Sequence, residues 1–169
     1  MTSSAFSTLP IRADLLSNIA SLGFESMTPV QQQSLPILLA GQDLLGQAKT
    51  GSGKTAAFAI GIINKLETHC RQIQALVLCP TRELADQVSN EIRRLARTIP
   101  NTKILTLCGD KPIAKQTASL ESAPHIVIGT PGRILKHLSK GSLNLRQIST
   151  FVLDEADRML DMGFLADIM

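Results

Sequence analysis

Five short apolar runs alternate with longer amphipathic stretches along this 169-residue chain. Uninterrupted apolar runs of this length are typical of strands that are buried on both faces of a parallel sheet. Because helical stretches separate the runs, the pattern predicts an α/β fold, a doubly wound parallel β-sheet flanked by helices. The predicted strands are residues 43–47, 75–79, 104–108, 126–129 and 151–153.

The stretches between the runs contain helix signals. Gly23 follows one amphipathic stretch in the position that favours a left-handed residue after a helix. Pro29 suits the first turn of the next helix, since a first-turn residue needs no backbone N–H. The predicted helices are residues 11–22, 29–39, 56–66 and 82–99.

Composition excludes several classes of protein. Apolar residues make up 44% of the chain and charged residues 18%, a balance typical of globular rather than disordered proteins. No run approaches the roughly 18 consecutive apolar residues of a membrane span, and residues 1–10 lack the cationic start of a secretory signal. Three cysteines without metal-ligand or paired spacing predict a reducing, cytoplasmic compartment.

Charge is distributed unevenly along the chain. Residues 91–146 contain ten Lys and Arg against three Asp and Glu, a balance of +7, whereas residues 147–169 carry −4. This asymmetry suggests one surface for a polyanion and another for a metal ion. A solvated basic face explains the charge alone equally well.

A glycine-rich segment follows the first predicted strand. Its sequence, Ala-Lys-Thr-Gly-Ser-Gly-Lys-Thr at 48–55, matches the P-loop except for Ala48 in the first glycine position. Lys54 is expected to reach the terminal phosphates of a nucleotide, and Thr55 to offer its hydroxyl to Mg²⁺. The alternative, a plain glycine turn, is disfavoured by the flanking strand and helix. The predicted nucleotide-binding residues are Ala48, Lys49, Thr50, Gly51, Ser52, Gly53, Lys54 and Thr55.

An acidic segment follows the last predicted strand, with Asp-Glu-Ala-Asp at 154–157. Asp154 is placed to hold Mg²⁺ through a bound water, because Mg²⁺ dehydrates reluctantly. Glu155 is placed to orient and deprotonate an attacking water, so Lys54, Asp154 and Glu155 are the predicted catalytic residues. An acidic helix N-terminus is the alternative, and the P-loop upstream argues against it.

The Asp-Glu-Ala-Asp segment resembles the signature of the DEAD-box ATP-dependent RNA helicases, and the resemblance covers nearly the whole chain. Residues 75–80 and 100–105 are most similar to the bacterial DbpA-type subfamily. The resemblance implies a RecA-like P-loop domain that uses ATP and Mg²⁺ to remodel RNA duplexes. It also implies a connection with ribosomal RNA and ribosome biogenesis. The subfamily's target selectivity resides in a C-terminal RNA-binding domain that this sequence does not contain, so the family activity is carried over and the target is not.

Residues 23–31 resemble the adenine-recognising Q motif of that family, and Phe6 matches its isolated upstream aromatic residue. The resemblance implies that Gln31 recognises the adenine edge, that Phe24 stacks on the ring and that Thr28 belongs to the same site. A side-chain amide can pair with adenine through two hydrogen bonds. A core role for Phe24 is the alternative.

Two further segments resemble the family's RNA-backbone motifs, Pro-Thr-Arg-Glu-Leu-Ala at 80–85 and Thr-Pro-Gly-Arg at 130–133. Each follows a predicted strand and opens a helix, a geometry that supplies N–H donors and an arginine to a phosphate. Backbone contacts of this kind give salt-sensitive binding without sequence preference. For each arginine alone, a helix-end salt bridge is an equal alternative. The predicted RNA-binding residues are Pro80, Thr81, Arg82, Gly109, Thr130, Pro131, Gly132 and Arg133.

The chain departs from the family pattern at Asp110, where a second glycine usually follows Gly109. A carboxylate there is expected to repel an RNA phosphate unless Lys111 offsets it.

The predicted organisation is an N-terminal flank with the Q motif, residues 1–31, and a RecA-like ATP-binding domain, residues 32–169. The family's Ser-Ala-Thr motif and second RecA-like domain are not in this sequence. The resemblance implies that the missing strand lies between the P-loop strand and the Asp154 strand, and that the second domain supplies an arginine finger, typically worth ~10³–10⁵ in rate. These 169 residues alone are therefore expected neither to unwind duplexes nor to hydrolyse ATP usefully. The alternatives are a nucleotide- or RNA-binding module without turnover and, less well supported, a P-loop nucleotide kinase.

Overall fold

The computed structural model describes residues 4–164, which form two compact units. The N-terminal unit comprises the described part of Met1–Leu66 together with Glu91–Pro100. The sheet unit comprises Glu67–Asn90 and the described part of Asn101–Met169. Within the described residues, no helix is both long enough and apolar enough to span a membrane.

The N-terminal unit is helical. A short 3-10 helix, Phe6–Thr8, precedes three α-helices: α1 (Ala13–Ser21), α2 (Pro29–Leu39) and α3 (Lys54–Asn64). A fourth helix, α4 (Arg82–Ala96), begins in the sheet unit and contributes its last turns here. All four predicted helices are confirmed, and α2 has the predicted bounds.

Fully buried aliphatic side chains and the buried amide of Asn18 contribute to the core of the N-terminal unit. The Asn18 side-chain amide donates hydrogen bonds to the carbonyls of Arg94 (3.0 Å) and Leu95 (2.7 Å), near the end of α4. These carbonyls belong to the last turn, whose acceptors have no partners within the helix, so Asn18 ties α1 to α4. The aliphatic residues are Leu15, Ile19, Leu35, Ile60, Ile63, Ile92 and Leu95.

The prediction of a strand at residues 43–47 is wrong, because the structure has no strand there. The segment is irregular, and it pairs with none of the four described strands. Leu45 is 98% exposed and Leu44 41% exposed. A strand is stable only when its backbone N–H and C=O groups have a neighbouring strand to bond. An apolar run without such a neighbour does not form a strand.

The sheet unit contains four strands: β1 (Ala75–Leu78), β2 (Ile104–Leu107), β3 (Ile126–Gly129) and β4 (Thr150–Leu153). They form a parallel sheet in the order β2-β3-β1-β4. In register, Leu76 of β1 lies opposite Val127 of β3 and Phe151 of β4. The edge strand β4 leaves Phe151 50% exposed. The four remaining predicted strands are confirmed to within one residue.

Helices α5 (Ile113–Glu121), α6 (Pro131–Ser139) and α7 (Ala156–Asp161) complete the sheet unit. A hydrophobic core joins sheet and helices. At the end of β3, a Cβ on Gly129 would lie 2.6 Å from the Leu107 carbonyl and 2.8 Å from Ile134 Cδ1, so only glycine fits between β2 and α6. The core residues are Ile73, Leu76, Leu78, Leu107, Leu120, Val127, Ile134, Leu143 and Met159.

Candidate functional site

The glycine-rich segment forms a turn that ends at the start of α3. Gly51 and Gly53 have φ angles of 78° and 93°, in the left-handed region that glycine tolerates. Gly53 is the N-cap of α3, and no side chain caps this helix. The first N–H groups of a helix have no partner within it, so they remain available to an anion.

Two polar side chains of this turn are arranged for an anion. The Lys54 ammonium donates hydrogen bonds to the carbonyls of Ala48 and Lys49, the latter at 2.9 Å. The hydroxyl oxygen of Ser52 is buried and has no hydrogen-bond partner. A buried unpaired hydroxyl carries a free-energy cost that a bound acceptor or donor removes. The turn therefore fits a phosphate group, with a cation and a hydroxyl on its inner side.

The Q-motif residues hold the glycine-rich turn in place. Thr28 and Gln31 form a capping box at the start of α2: Gln31 N donates to Thr28 Oγ1 (3.4 Å), and Thr28 N donates to Gln31 Oε1 (2.9 Å). The Thr28 hydroxyl donates to the Ser52 carbonyl (2.8 Å), and Gln31 Nε2 donates to the Gly53 carbonyl (3.2 Å). Thr28 and Gln31 thus hold α2 against the glycine-rich turn of residues 48–55, the phosphate turn.

This fastening also explains Gly53. A Cβ there would lie 2.6 Å from Gln31 Nε2, so a larger residue would displace the amide. Gln31 is only 2% exposed, and each end of its amide keeps one further hydrogen-bonding position. The contact between Gln31 and the turn was not predicted from the sequence, although the Thr-x-x-Gln spacing of a capping box is visible at residues 28–31.

Phe24 lies against two side chains of the N-terminal unit. Its ring meets Phe6 edge-on, with centroids 6.2 Å apart and planes at 90°. The Arg94 guanidinium carbon lies 5.5 Å from the Phe24 centroid, over one face of the ring. This is a favourable cation–π geometry. Stacking of an adenine on Phe24 remains a prediction.

The acidic segment begins where β4 ends. Asp154 is 8% exposed, and its backbone N–H donates to the Leu78 carbonyl (3.0 Å). Glu155 has a φ of 52°, a left-handed conformation that costs free energy for any residue with a Cβ. Its carboxylate pairs with Arg158 at 3.3 Å. Burial, and then the nearby Asp154 carboxylate, raise the pKa of the Cys79 thiol, so that thiol stays protonated and unreactive.

Arg82, at the start of α4, pairs with two carboxylates of the sheet unit. Its guanidinium lies 3.4 Å from Asp110 Oδ2 and 3.7 Å from Asp86 Oδ2. The Thr81 hydroxyl accepts a hydrogen bond from Leu84 N (3.3 Å) and so caps the same helix. The Asp110 carboxylate therefore forms an ion pair with Arg82, which was not predicted from the sequence.

Arg133, in the first turn of α6, bonds to the segment that contains Asp110. Its guanidinium donates to the carbonyls of Gly109 (2.7 Å) and Lys111 (2.8 Å) and to Gln116 Oε1 (3.0 Å). The buried Gln116 amide continues this network, since its Nε2 donates to the Cys108 carbonyl (2.9 Å). Arg133 thus fixes the course of residues 109–111, and an RNA contact by the same side chain remains a prediction.

A buried histidine extends the network away from solvent. His137 Nε2 lies 2.9 Å from Gln116 Oε1, and its Nδ1 lies 2.8 Å from the Ser142 hydroxyl. Burial, and then the positive charge of Arg133, lower the pKa of His137, so the ring is neutral at neutral pH. A neutral ring donates through Nε2 to Gln116 and accepts from Ser142 through Nδ1.

The predicted RNA-binding residues lie at the carboxyl ends of three neighbouring strands, β2, β3 and β1. Ligands of parallel α/β sheets bind beyond these ends. Pro80 and Pro131 are buried, whereas Gly109 and Gly132 are exposed. The nucleotide residues lie in the N-terminal unit and the acidic segment in the sheet unit, so the shared Mg²⁺ site of Thr55 and Asp154 remains a prediction.

Comparison with known proteins identifies the family. Residues 28–169 match the model of the DEAD/DEAH box helicase family. The chain belongs to this helicase family. It is 60% identical over 161 residues to the ATP-dependent RNA helicase DbpA of Escherichia coli K12, and 45% identical over 163 residues to the DEAD-box ATP-dependent RNA helicase CshA of Bacillus cereus. These alignments cover 95% and 96% of the chain but 35% and 31% of the relatives, so the chain spans about a third of their length.

Solved structures of DEAD-box proteins have the same fold. A DEAD box protein from the hyperthermophile Methanococcus jannaschii superimposes with a TM-score of 0.93 at 43% identity, over 98% of this chain and 45% of that one. The yeast DEAD-box splicing factor Prp28 superimposes with a TM-score of 0.87 at 35% identity, over 94% of this chain and 39% of that one. The predicted RecA-like α/β fold is therefore confirmed.

Proposed function

We propose that these residues form the ATP-binding part of an ATP-dependent RNA helicase that couples ATP binding and hydrolysis to the remodelling of RNA duplexes. The phosphate turn carries this proposal. Its lysine is bonded to loop carbonyls, its Ser52 hydroxyl is buried without a partner, and Gln31 fastens it to α2. The relatives named above are ATP-dependent RNA helicases, which agrees with this use of the turn.

On nucleotide binding, Lys54 exchanges its bonds to loop carbonyls for bonds to the terminal phosphates. The free N–H groups at the start of α3 and the Ser52 hydroxyl face the same charge. Thr55 and Asp154 are the residues that would hold Mg²⁺, and when bound, the ion neutralises phosphate charge. Glu155, a partly exposed residue with a left-handed backbone at the N-cap of α7, is the residue that orients and deprotonates the attacking water.

RNA binds, in this proposal, at the carboxyl ends of β1, β2 and β3 through the helix starts of α4 and α6. Contacts to backbone phosphates serve single-stranded and duplex RNA alike and give salt-sensitive binding. We propose ribosomal RNA as the target and ribosome biogenesis as the pathway on the resemblance to the DbpA-type subfamily, and the chain is 60% identical to DbpA of Escherichia coli. We propose the cytoplasm as the compartment, because the three cysteines form no disulfide, and we propose no membrane partner.

Activity requires a second RecA-like domain in this proposal, because its arginine finger contributes ~10³–10⁵ in rate. The 169 residues alone therefore bind nucleotide without useful turnover. Calorimetric titration with ADP, alongside an ATPase assay with single-stranded RNA, tests this directly. Binding without turnover agrees with the proposal, and RNA-stimulated hydrolysis by the 169 residues contradicts the requirement for a second domain.

Gln31→Ala should abolish the preference for ADP over GDP and lower ADP affinity about tenfold. Two hydrogen bonds to adenine, each worth about 0.5–1.5 kcal/mol, are lost. Gln33→Ala is the matched control, because Gln33 is an exposed residue of the same helix. Titration of both variants with both nucleotides is the measurement. If the ratio of ADP affinity to GDP affinity is unchanged in Gln31→Ala, Gln31 does not recognise adenine and only holds the turn through the Gly53 carbonyl.

Asp110→Asn should raise the affinity for single-stranded RNA about three- to tenfold. The substitution keeps the side-chain shape, removes a repulsive charge and frees Arg82 from its 3.4 Å ion pair. Screening by salt should reduce the gain between about 50 and 200 mM salt. Fluorescence anisotropy with labelled RNA measures the change.

Glu121→Gln is the control for Asp110→Asn, since it removes the same charge from an exposed residue at the end of α5. An equal gain in RNA affinity in both variants would mean that the loss of one negative charge, and not release of Arg82 from its ion pair, causes the gain. No gain in Asp110→Asn would argue against Arg82 as a phosphate ligand.

A further inference from the structure

The turn that precedes β1 brings together three metal-ligating side chains that the helicase motifs do not use. Glu67, His69 and Cys70 each offer one ligand atom, and these atoms all lie within 4.8 Å of one another. Cys70 Sγ lies 3.3 Å from Glu67 Oε2, and His69 Nε2 lies 3.7 Å from the same oxygen. The carboxylate is therefore the centre of the cluster.

These separations match a tetrahedral zinc site. Zinc binds cysteine sulfur at about 2.3 Å and histidine nitrogen or carboxylate oxygen at about 2.0–2.2 Å. Tetrahedral angles then place the ligand atoms about 3.4–3.6 Å apart. Two of the three separations already agree within a few tenths of an ångström. The third, between Cys70 and His69, closes by rotation of the exposed His69 side chain.

The backbone of the turn is held by its own hydrogen bonds. Cys70 N donates to the Glu67 carbonyl (3.1 Å), which closes the turn. The Gln74 side chain accepts from Glu67 N (3.0 Å) and donates to the Glu67 carbonyl (2.8 Å). Gln74 itself is fixed at the start of β1, where its N–H donates to the His125 carbonyl (2.8 Å). A turn held in this way loses little backbone entropy when its side chains bind an ion.

The buried His125 ring lies against the turn. His125 is 2% exposed, and its Nδ1 accepts a hydrogen bond from Lys103 N (3.0 Å), so the proton lies on Nε2. That Nε2 faces the carbonyls of Thr68 and Cys70 without a hydrogen bond of normal geometry. Burial lowers the pKa of His125, so the ring adds no positive charge beneath the turn at neutral pH.

The donor set selects the class of ion. Thiolate, imidazole and carboxylate together suit zinc, whereas Mg²⁺ and Ca²⁺ prefer oxygen ligands. Cys79 and Cys108 are buried, so Cys70 is the accessible thiol of the three. The hydrogen bond to Glu67 raises the pKa of Cys70, so the free thiol is protonated. Binding forms a sulfur–metal bond and releases that proton to solvent.

We propose that Glu67, His69 and Cys70 bind one zinc ion, with water in the fourth position. The turn lies at the amino end of β1, whereas the RNA-motif segment 80–82 lies beyond its carboxyl end. The site is therefore separate from the proposed RNA surface, and it does not depend on the proposed helicase function.

Cobalt titration of the untagged 169-residue chain tests the site, since tetrahedral Co²⁺ bound to a thiolate absorbs in the near ultraviolet and the visible. We expect one ion per chain, with both absorption bands, and displacement of cobalt by Zn²⁺. Cys70→Ser should abolish the thiolate band. His69→Ala and Glu67→Gln should each weaken binding at least tenfold, since even groups outside the ligand set cost 10- to roughly 100-fold.

Glu83→Gln is the control, because Glu83 is an exposed carboxylate of the sheet unit outside the cluster. Its cobalt affinity should equal that of the unaltered chain. All four substituted residues are at least partly exposed, so circular dichroism should show unchanged folding. The proposal is overturned if the unaltered chain shows no thiolate band, or if that band persists in Cys70→Ser. It is also overturned if His69→Ala and Glu67→Gln bind cobalt as tightly as the unaltered chain. One ion per two chains would also overturn it, because it would indicate a bridged pair.

Discussion

Lys54→Ala should lower the affinity of the chain for ATP about a hundredfold. The Lys54 ammonium is bonded to the carbonyls of Ala48 and Lys49 in the phosphate turn, and no other cation is bonded there among the described residues. A hydrogen bond between charged groups contributes about 1.5–3 kcal/mol. Losing about 2.7 kcal/mol corresponds to a hundredfold change in the dissociation constant. Calorimetric titration with ATP and Mg²⁺ measures it.

Lys65→Ala is the matched control for Lys54→Ala, because Lys65 is an exposed lysine directly after the same helix. It removes the same charge without touching the phosphate turn. We expect its ATP affinity to stay within about twofold of the unaltered chain, as distant exposed charges are screened by salt. Equal losses in the two variants would mean that overall charge, and not a contact from Lys54, attracts the nucleotide.

Arg133→Ala should lower the free energy of unfolding of the sheet unit by about 2 kcal/mol. Three hydrogen bonds from one guanidinium are lost, and the Gln116 carbonyl oxygen keeps only His137 as a partner. Each bond from a charged donor contributes about 1.5–3 kcal/mol when buried, and partial exposure of Arg133 reduces the sum. Urea unfolding followed by circular dichroism gives the difference.

Arg133→Lys separates charge from geometry at this position. Lysine keeps the positive charge but cannot reproduce the planar fork that reaches three acceptors. If Arg133 acts by positioning residues 109–111, both variants lose stability and RNA affinity together. Lys136→Ala, an exposed change one turn later in α6, should leave stability unchanged. If Arg133→Lys is less stable but binds RNA as tightly as the unaltered chain, the positive charge at position 133 contacts an RNA phosphate directly.

Much of the fold could be predicted because its signals are local. Helix α2 has the predicted bounds, since Thr28 caps it and Pro29 suits its first position. Strand β3 also has the predicted bounds, because a short apolar run that ends at glycine is visible in sequence. The phosphate turn was predicted for the same reason: its glycines and Lys54 lie within eight consecutive positions, 48–55.

The failures of prediction have one physical cause, which is dependence on distant partners. Residues 43–47 have the composition of a strand, but composition cannot provide a neighbouring strand to bond. The cysteine spacing indicated no metal ligands, yet the turn before β1 places Cys70 beside Glu67 and His69. Side-chain directions in a turn are set by its backbone and by Gln74, which spacing alone does not show.

The sequence alone determined which chemical groups this protein offers: a lysine in a phosphate turn, carboxylates after a strand and arginines at two helix starts. The tertiary structure decided what those groups contact. Gln31 reaches Gly53 across 22 positions, and Arg133 reaches Gly109 across 24. Asp110 pairs with Arg82 although different strands precede them. Hydrogen bonds and ion pairs depend on distance in space, and the fold alone brings such positions together.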